Sequence, residues 1–522
     1  MMLHHRKTLL PLLLSATLLA GLLVPASASA GDKRFALVIG YNHSDDPKLK
    51  PLRYADDDAL RYAELFGTMA DVTLLTELDK DTRRLAGTRG NIATAAPTRQ
   101  GVIDALGALR TKMRAAKQQG HRPVLYFVYS GHGNYDAEGR GYVHLKSGRF
   151  TTRDLYSHLF APSGGDPVVL MVDACNAALL VNSRGAGTRR KARQSRMNLE
   201  QYPNVGVVLS SSSVGEVHEW GRYLAGVFSH EVRSALVGPA DLDGDDKVTF
   251  AEVAAFIAAA NDKVKNPTIR ISAYIRPPLN APNLALVDLK QARFHARVRI
   301  DKSIAGKAHV VDGDLVRYAD FHKTGAQSFW LGLVRPGPYT VVQGSKEHRL
   351  PAEARGDVTL ADYPAVQRTA VRSRGTHSDY FDRTLFHQPY GTSFAANYLK
   401  SDWLDSLTVE RDIEQPWYEN GPAWATLGAG LISLGVAGGF TAQAFSVSRE
   451  AANTPWGDKR VQLNQEISRH ETTAGVLYGI GGAAVVGSIL WFILDRPVST
   501  QRYKPPLSVG VSPGGVVLST KY

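Results

Sequence analysis

A mostly parallel α/β sheet with flanking helices, followed by a small all-β domain and a helical hairpin, is the fold class this sequence predicts. Three observations carry it. Two continuous apolar runs, Pro123-Val-Leu-Tyr-Phe-Val-Tyr129 and Pro167-Val-Val-Leu-Met-Val172, are short and rich in β-branched or aromatic residues, as strands buried on both faces are. Stretches of helical periodicity separate the strand-like runs, and a strand–helix–strand order implies parallel strands joined by right-handed crossovers. From about residue 293 the texture changes to short alternating strands, and after residue 420 come two apolar stretches long enough to span a bilayer.

The elements of the α/β part, residues 31–282, follow in order. Arg34–Ile39 is the first strand, ended by Gly40. Asp56, Asp57 and Asp58 open a helix whose dipole they suit, and Ala59, Leu60, Ala63, Leu65 and Phe66 form its apolar stripe. Val72–Leu75 is the second strand, and the polar residues 80–96 read as a loop. Thr98 is the N-cap of a helix carrying Val102, Ile103, Leu106, Leu109 and Met113 at helical spacing. The strand ending at Tyr129 follows, then a polar hairpin (134–150), a short helix (152–160) and the strand ending at Val172. Gly206–Leu209 is a further strand, running into Ser210–Ser213. That serine run lacks the Gly-x-Ser-x-Gly elbow of a serine hydrolase.

Two of these strands end in reactive groups. One leads into Ser130-Gly-His132-Gly133, the other into Asp173-Ala-Cys175-Asn176. Ligands of open α/β sheets bind outside the carboxyl ends of the strands, so a histidine and the chain's single cysteine belong at one edge. A lone cysteine cannot pair within its own chain. It is an inert thiol, an intermolecular disulfide or a nucleophile, and its place at a strand end beside Gly-His-Gly favours the nucleophile. An imidazole can take the thiol proton, hold the thiolate and later protonate a leaving amine. Backbone N–H groups at tight turns stabilise an oxyanion, and Gly133, with the N–H of Cys175, is the candidate here.

Tyr129-Ser-Gly-His-Gly133 and Asp173-Ala-Cys175, in that order and each closing an apolar strand, resemble the caspase-like cysteine peptidases, bacterial metacaspase-like members most closely, over about residues 34–280. The resemblance implies a dyad of His132, general base and acid, and Cys175, nucleophile. It also implies that Asp173, on the same side of its strand as Cys175, contributes to a pocket for Arg or Lys before the cleaved bond. From the residues alone, Asp173 could equally orient a turn or satisfy buried backbone. Ser211 and Glu219 are secondary pocket candidates by the same resemblance, while Leu52, Ala55, Asp58 and Ala59 match family framework positions. Many members continue after the cysteine with His-Ser-Gly or Ser-Gly, where this chain has Asn176-Ala-Ala178. The basic stretch Arg184–Arg196 reads as a solvated loop, and for a site preferring Arg or Lys it is also a self-processing substrate held at high local concentration.

Asp241-Leu-Asp243-Gly-Asp245-Asp246-Lys247-Val-Thr249-Phe-Ala-Glu252 has the spacing of an EF-hand calcium loop. Asp241, Asp243, Asp245 and Glu252 offer carboxylates, Lys247 its carbonyl, and Thr249 the ninth position. Asp246 replaces the usual glycine. The alternative is an acidic turn capping a helix at Thr249. No cofactor is expected for catalysis itself.

The 522 residues, 44% hydrophobic, suffice for more than one core. The net charge is +12, but the basic stretches lack aromatic interleaving, and no nucleic-acid partner is expected. Residues 1–30 read as a secretory signal peptide: His4, His5, Arg6 and Lys7, an apolar run from Leu9 to Val24, then Ala28-Ser-Ala30. An N-terminal membrane anchor is the alternative. Residues 290–361 are the small β-domain, 362–420 a polar linker, 421–497 a transmembrane hairpin and 498–522 a tail able to pair as a short hairpin. The spans are Pro422–Phe445 and Thr472–Leu494, with Gly435-x-x-x-Gly439 and Gly475-x-x-x-Gly479 allowing close helix approach. Arg449, Lys459, Arg460 and Arg469 place the loop between them in the cytoplasm and the α/β domain in the periplasm, in agreement with the signal peptide. The sequence thus points to an inner-membrane cysteine endopeptidase acting on proteins or peptides. A non-catalytic scaffold that binds partners or calcium is the alternative.

Overall fold

The structure is a computed structural model that describes residues 30–89, 93–181, 199–210, 219–266, 270–368, 376–407, 409–414, 416–495, 498–503, 507–512 and 515–520. The signal segment before Ala30, the basic loop 184–196 and Ser211 lie outside the described residues. The described residues fall into two compact units, one within Met1–Leu407 and Pro505–Tyr522, the other within Thr408–Lys504.

In the first unit, seven strands form a sheet in the order Ala273–Arg276, Val205–Ser210, Val168–Asp173, His121–Gly131, Ala30–Tyr41, Ala70–Thr76, Thr94–Ala95. Only the Ala273–Arg276 edge runs antiparallel. Strand period two sends alternate residues to opposite cores. Phe35, Leu37, Ile39, Phe127 and Leu170 meet Val102, Leu106, Leu109 and Met113 of helix Arg99–Gln118 on one face. Ala36, Val38, Tyr126, Val128 and Met171 meet helices Ala55–Gly67, Val227–Leu236 and Phe250–Asn261 on the other. Thr98 caps its helix as expected, accepting from Gly101 N at 3.0 Å. The loop expected over 80–96 is instead a helix, Lys80–Arg89, and the short edge strand Thr94–Ala95. Its polar composition hides the periodicity, but Thr82 Oγ1 donates to buried Asp57 Oδ2 at 2.9 Å and ties it down.

The β-domain is two sheets, one of three strands around Ala296–Ile300 and one of five around Gly306–Val311 and Arg317–Lys323. Val298, Ile300, Phe321 and Leu331 share a continuous core with Val237, Leu236 and Leu289 of the α/β part. The linker reading of 362–420 does not survive over Thr376–Leu407. Short helices there and the segment between them bury Leu385, Phe386, Tyr390, Leu399 and Trp403, and Trp403 Nε1 donates to Ile275 O at 2.8 Å. These anchors are divided between a turn and broken helices, too widely spaced to give a periodic signal. Leu507–Ser512 and Gly515–Thr520 pair as a hairpin.

The second unit holds helices Gly421–Ala452 and Asp458–Leu494, both long and apolar enough to cross a bilayer. They expose Leu431, Ile432, Phe445, Val476 and Ile480. The glycines expected at the helix contact do not lie there: a Cβ on Gly435, Gly439, Gly475 or Gly479 would meet open space. Close approach falls to Gly430 and Gly481, where an added Cβ would lie 3.0 Å and 2.9 Å from the opposite carbonyl oxygen. The buried residues Ala423, Gly430, Ala437, Ala444 and Ala451 recur every seven residues, so the seam follows a coiled-coil period and not a four-residue step.

Candidate active site

The strand register brings the ends of the two strands that lead into His132 and Cys175 side by side. In the parallel pair, Tyr129 lies beside Val172 and Ser130 beside Asp173, the last pair of the ladder. His132 and Cys175 each follow two residues later in the chain. Gly133 packs against the cysteine backbone, since a Cβ there would lie 2.4 Å from Cys175 O and 2.9 Å from Ala174 Cβ. Only glycine permits that approach. Both side chains are largely covered, at 7% exposure for His132 and 6% for Cys175, which forms no disulfide. Asn176, directly after the thiol, has φ +58°, and Ala177–Val181 then coils as a helix. Asparagine adopts the left-handed conformation more readily than most residues, so the departure from the family's usual continuation is accommodated in the backbone.

His132 Nε2 lies 2.9 Å from Lys50 O. A carbonyl only accepts, so Nε2 carries the proton and the neutral ring keeps its lone pair on Nδ1. Burial lowers the imidazole's proton affinity, with the neighbouring His144 and His43 adding to the effect and the Lys50 bond opposing it. The ring therefore stays neutral, as a general base must. Its own carbonyl is held by Tyr129 Oη at 3.0 Å and His144 N at 3.0 Å.

Beside the strand ends that lead into His132 and Cys175 lies a buried carboxylate cluster. Asp173 Oδ2 accepts from Ser229 N at 3.1 Å and Ser229 Oγ at 2.7 Å. Burial raises its pKa, while Ser229 and nearby Arg233 pull the other way. Asp58 Oδ1 accepts from Arg233 Nη2 at 2.9 Å, and its Oδ2 from Gly226 N at 2.9 Å and Ser130 Oγ at 3.3 Å. Burial pushes Asp58 up to about 8, with Arg233 opposing and Asp173 reinforcing. Ser130 is the member that sequence reasoning missed, and Asp58 was read there only as a helix-start and framework residue. The dipole reading explained Asp58 too easily. Ser130 was legible by parity, because it stands two residues before His132 as Asp173 stands two before Cys175.

Glu219, a pocket candidate from the sequence, is engaged by backbone N–H groups. Its oxygens accept from Arg53 N at 3.0 Å and Tyr54 N at 2.7 Å. Burial raises its pKa, against the pull of those two N–H groups. The carboxylate thus holds the turn that also presents Lys50 O to His132.

Residues 33–276 match the family model of the caspase domain, Peptidase_C14. This chain carries a caspase-like domain. Among solved structures it is similar to pro-sf-caspase-1, with 12% identity, coverage of 47% of this chain and 92% of that chain, and a TM-score of 0.28. No curated protein matches it. The caspase-like domain thus includes both reactive strands and the cluster behind them.

Within that domain, the acidic loop brings together oxygens of Asp241, Asp243 and Glu252, all within 4.8 Å of one another. Asp246 takes φ +66° at the position where glycine is usual. Asp241 accepts from Gly244 N and Asp246 N. Asp245 is bonded to Lys247 N at 2.8 Å and is not part of the three-carboxylate group. Lys247 and Thr249 lie in a short strand paired with Ala285–Asp288. Thr249 and Glu252 form a capping box, so the helix-cap reading also describes this geometry. Burial raises Asp241 to about 7 and Glu252 to about 8, with the local N–H bonds opposing and Asp243 reinforcing in each case.

Proposed function

We propose that this protein is a cysteine endopeptidase acting through His132 and Cys175 and cleaving after Arg or Lys. The observation that supports the reading is the register that sets the strands leading into His132 and Cys175 side by side, with Gly133 against the cysteine backbone. His132 Nδ1 takes the thiol proton, and the thiolate attacks the scissile carbonyl. The N–H groups of Gly133 and Cys175 stabilise the oxyanion. The imidazolium then protonates the leaving amine, and water hydrolyses the acyl-enzyme with His132 again as base. A basic side chain before the cleaved bond is recognised by Asp173, with Asp58 and Ser130 behind it.

The hairpin anchors the enzyme in the inner membrane with the caspase-like domain in the periplasm. The length and apolar character of the two helices, and the basic residues Arg449, Lys459, Arg460 and Arg469 on the helix ends that flank their connection, support this placement. Calcium binds the 241–252 loop through Asp241, Asp243 and Glu252, supported by their convergence.

The test is hydrolysis of Arg, Lys and Ala fluorogenic peptides by the wild type and Cys175→Ala, with and without calcium. Cleavage confined to basic peptides and lost in Cys175→Ala is the expected outcome. No cleavage under any condition would leave the non-catalytic scaffold as the better reading.

A further inference from the structure

Helix Val227–Leu236 presents two stripes of polar side chains, each pair four residues apart. Ser229 and Arg233 reach Asp173 and Asp58 of the caspase-like domain. His230 and Ser234, one position on, reach Asp320 on strand Arg317–Lys323 of the β-domain. His230 Nε2 lies 2.9 Å from Asp320 Oδ2, and Asp320 N donates to Ser234 Oγ at 3.1 Å. Residues four apart share a helix face, and a one-residue offset turns the second pair about 100° from the first. The helix is therefore held from both sides by carboxylates.

The β-domain side is built to stay fixed. Asp320 is fully buried, and Arg317 grips it with two bonds, Nε at 2.8 Å and Nη2 at 2.5 Å. The ring of Tyr223 stacks on His230 at a centroid distance of 3.7 Å. Burial alone would raise the Asp320 pKa, but Arg317 and the His230 bond more than offset it and hold the carboxyl ionised. At the end of the helix, Gly332 N donates to Val237 O at 2.7 Å, and a Cβ on Gly238 would lie 1.8 Å from Trp330 O. The helix cannot shift along its axis or rotate without breaking one set of contacts.

We propose that Asp320 of the β-domain is a positioning residue for the basic-residue pocket, acting through His230 and the helix that carries Ser229 and Arg233. The inference rests on reading Asp173 as the pocket carboxylate. The β-domain then sets substrate selectivity while leaving the dyad alone.

The experiment uses the full-length protein in detergent, as wild type, Asp320→Asn and His230→Phe. Asparagine keeps the shape of residue 320 without its charge. Phenylalanine keeps the stacked ring without the Nε2 donor, and so offers a milder perturbation should Asp320→Asn fold poorly. Each variant is assayed for kcat and KM on Arg and Ala peptides and for Cys175 alkylation by iodoacetamide, a small neutral reagent that needs only the dyad. The expected result is a KM for the Arg peptide raised about tenfold, with kcat and alkylation within about twofold of wild type. Unchanged KM in both variants overturns the proposal, and so does a proportional fall in kcat, KM discrimination and alkylation together. A wild type that does not prefer Arg over Ala sinks the pocket reading first, a result distinct from a selective wild type with indifferent variants.

Discussion

Asp173 and Ser229 form a two-point contact in which one carboxylate oxygen accepts both the backbone N–H and the hydroxyl of the serine. That contact bears on how much negative charge the proposed basic-residue pocket holds at a given pH. Burial raises the Asp173 pKa, and Ser229 restrains it. As pH falls through that raised value the pocket loses charge, so KM for Arg peptides rises on the acid side. Ser229→Ala removes one restraining bond and moves this limb to higher pH. Arg233, Asp58, Glu219 and Glu231, charged or titratable groups that interact with Asp173, are unchanged in the variant. KM measured against pH for both proteins checks the direction, and superimposable profiles would refute it.

The proposed dyad has its own expected pH signature. His132 is depressed below the ordinary histidine value of 6.5 by burial first and by His144 and His43 next. Protonation removes the base as pH falls, so the acid limb of Cys175 alkylation should lie below 6.5. His132→Ala should abolish that limb and slow alkylation near neutrality by about 10²-fold. Equal rates in wild type and His132→Ala would argue against a dyad.

Glu219 is expected to act on kcat. Its carboxylate holds Arg53 N and Tyr54 N, and the same turn offers Lys50 O to His132. Glu219→Ala should lower kcat about tenfold with little change in KM, because the imidazole loses its orientation. Glu219→Gln keeps an accepting oxygen and should recover most of the rate. A variant pair that raises KM for Arg peptides equally would favour direct substrate contact.

Calcium should raise the melting temperature of the full-length protein. A ligand at 100 times its Kd stabilises the folded state by about 2.7 kcal/mol, worth a few degrees in a chain of this size. Asp241→Asn should abolish the shift. A flat titration in wild type would leave the loop as a helix cap only.

In the hairpin, Gly430 and Gly481 are the positions that cannot accept a side chain, whereas Gly435 and Gly475 face open space. Gly481→Leu should weaken hairpin packing, and Gly475→Leu should be tolerated, as judged by protease resistance in detergent. Topology can be read on a Cys175→Ala background carrying Trp456→Cys, a site 81% exposed. A membrane-impermeant maleimide should label it only after the inner membrane is opened. Labelling in intact spheroplasts would reverse the proposed orientation.

Much of this was legible in the linear chain. The buried strands announce themselves by continuous β-branched and aromatic runs, and Thr98 by its capping chemistry. Both reactive residues stand at strand ends, where an α/β sheet gathers its ligands. The helix Lys80–Arg89 and the helices within Thr376–Leu407 were hidden, because a polar or segmented helix held by a few anchors has no sustained period. Asp58 was hidden for another reason. An acidic run at a helix start has a sufficient local explanation, and only burial reveals a second role.

The sequence by itself determined the sheet, the placing of one histidine and the one cysteine just beyond the ends of neighbouring strands, and the two apolar helices, since each depends on local pattern and strand period. Tertiary structure alone decided which carboxylates gather behind that thiol, which glycines touch in the hairpin, and that Asp320, 147 positions beyond Asp173 by their numbering, holds the same helix. Those relations cross between elements far apart in the chain, and side-chain geometry across an interface leaves no periodic trace in the residues that make it.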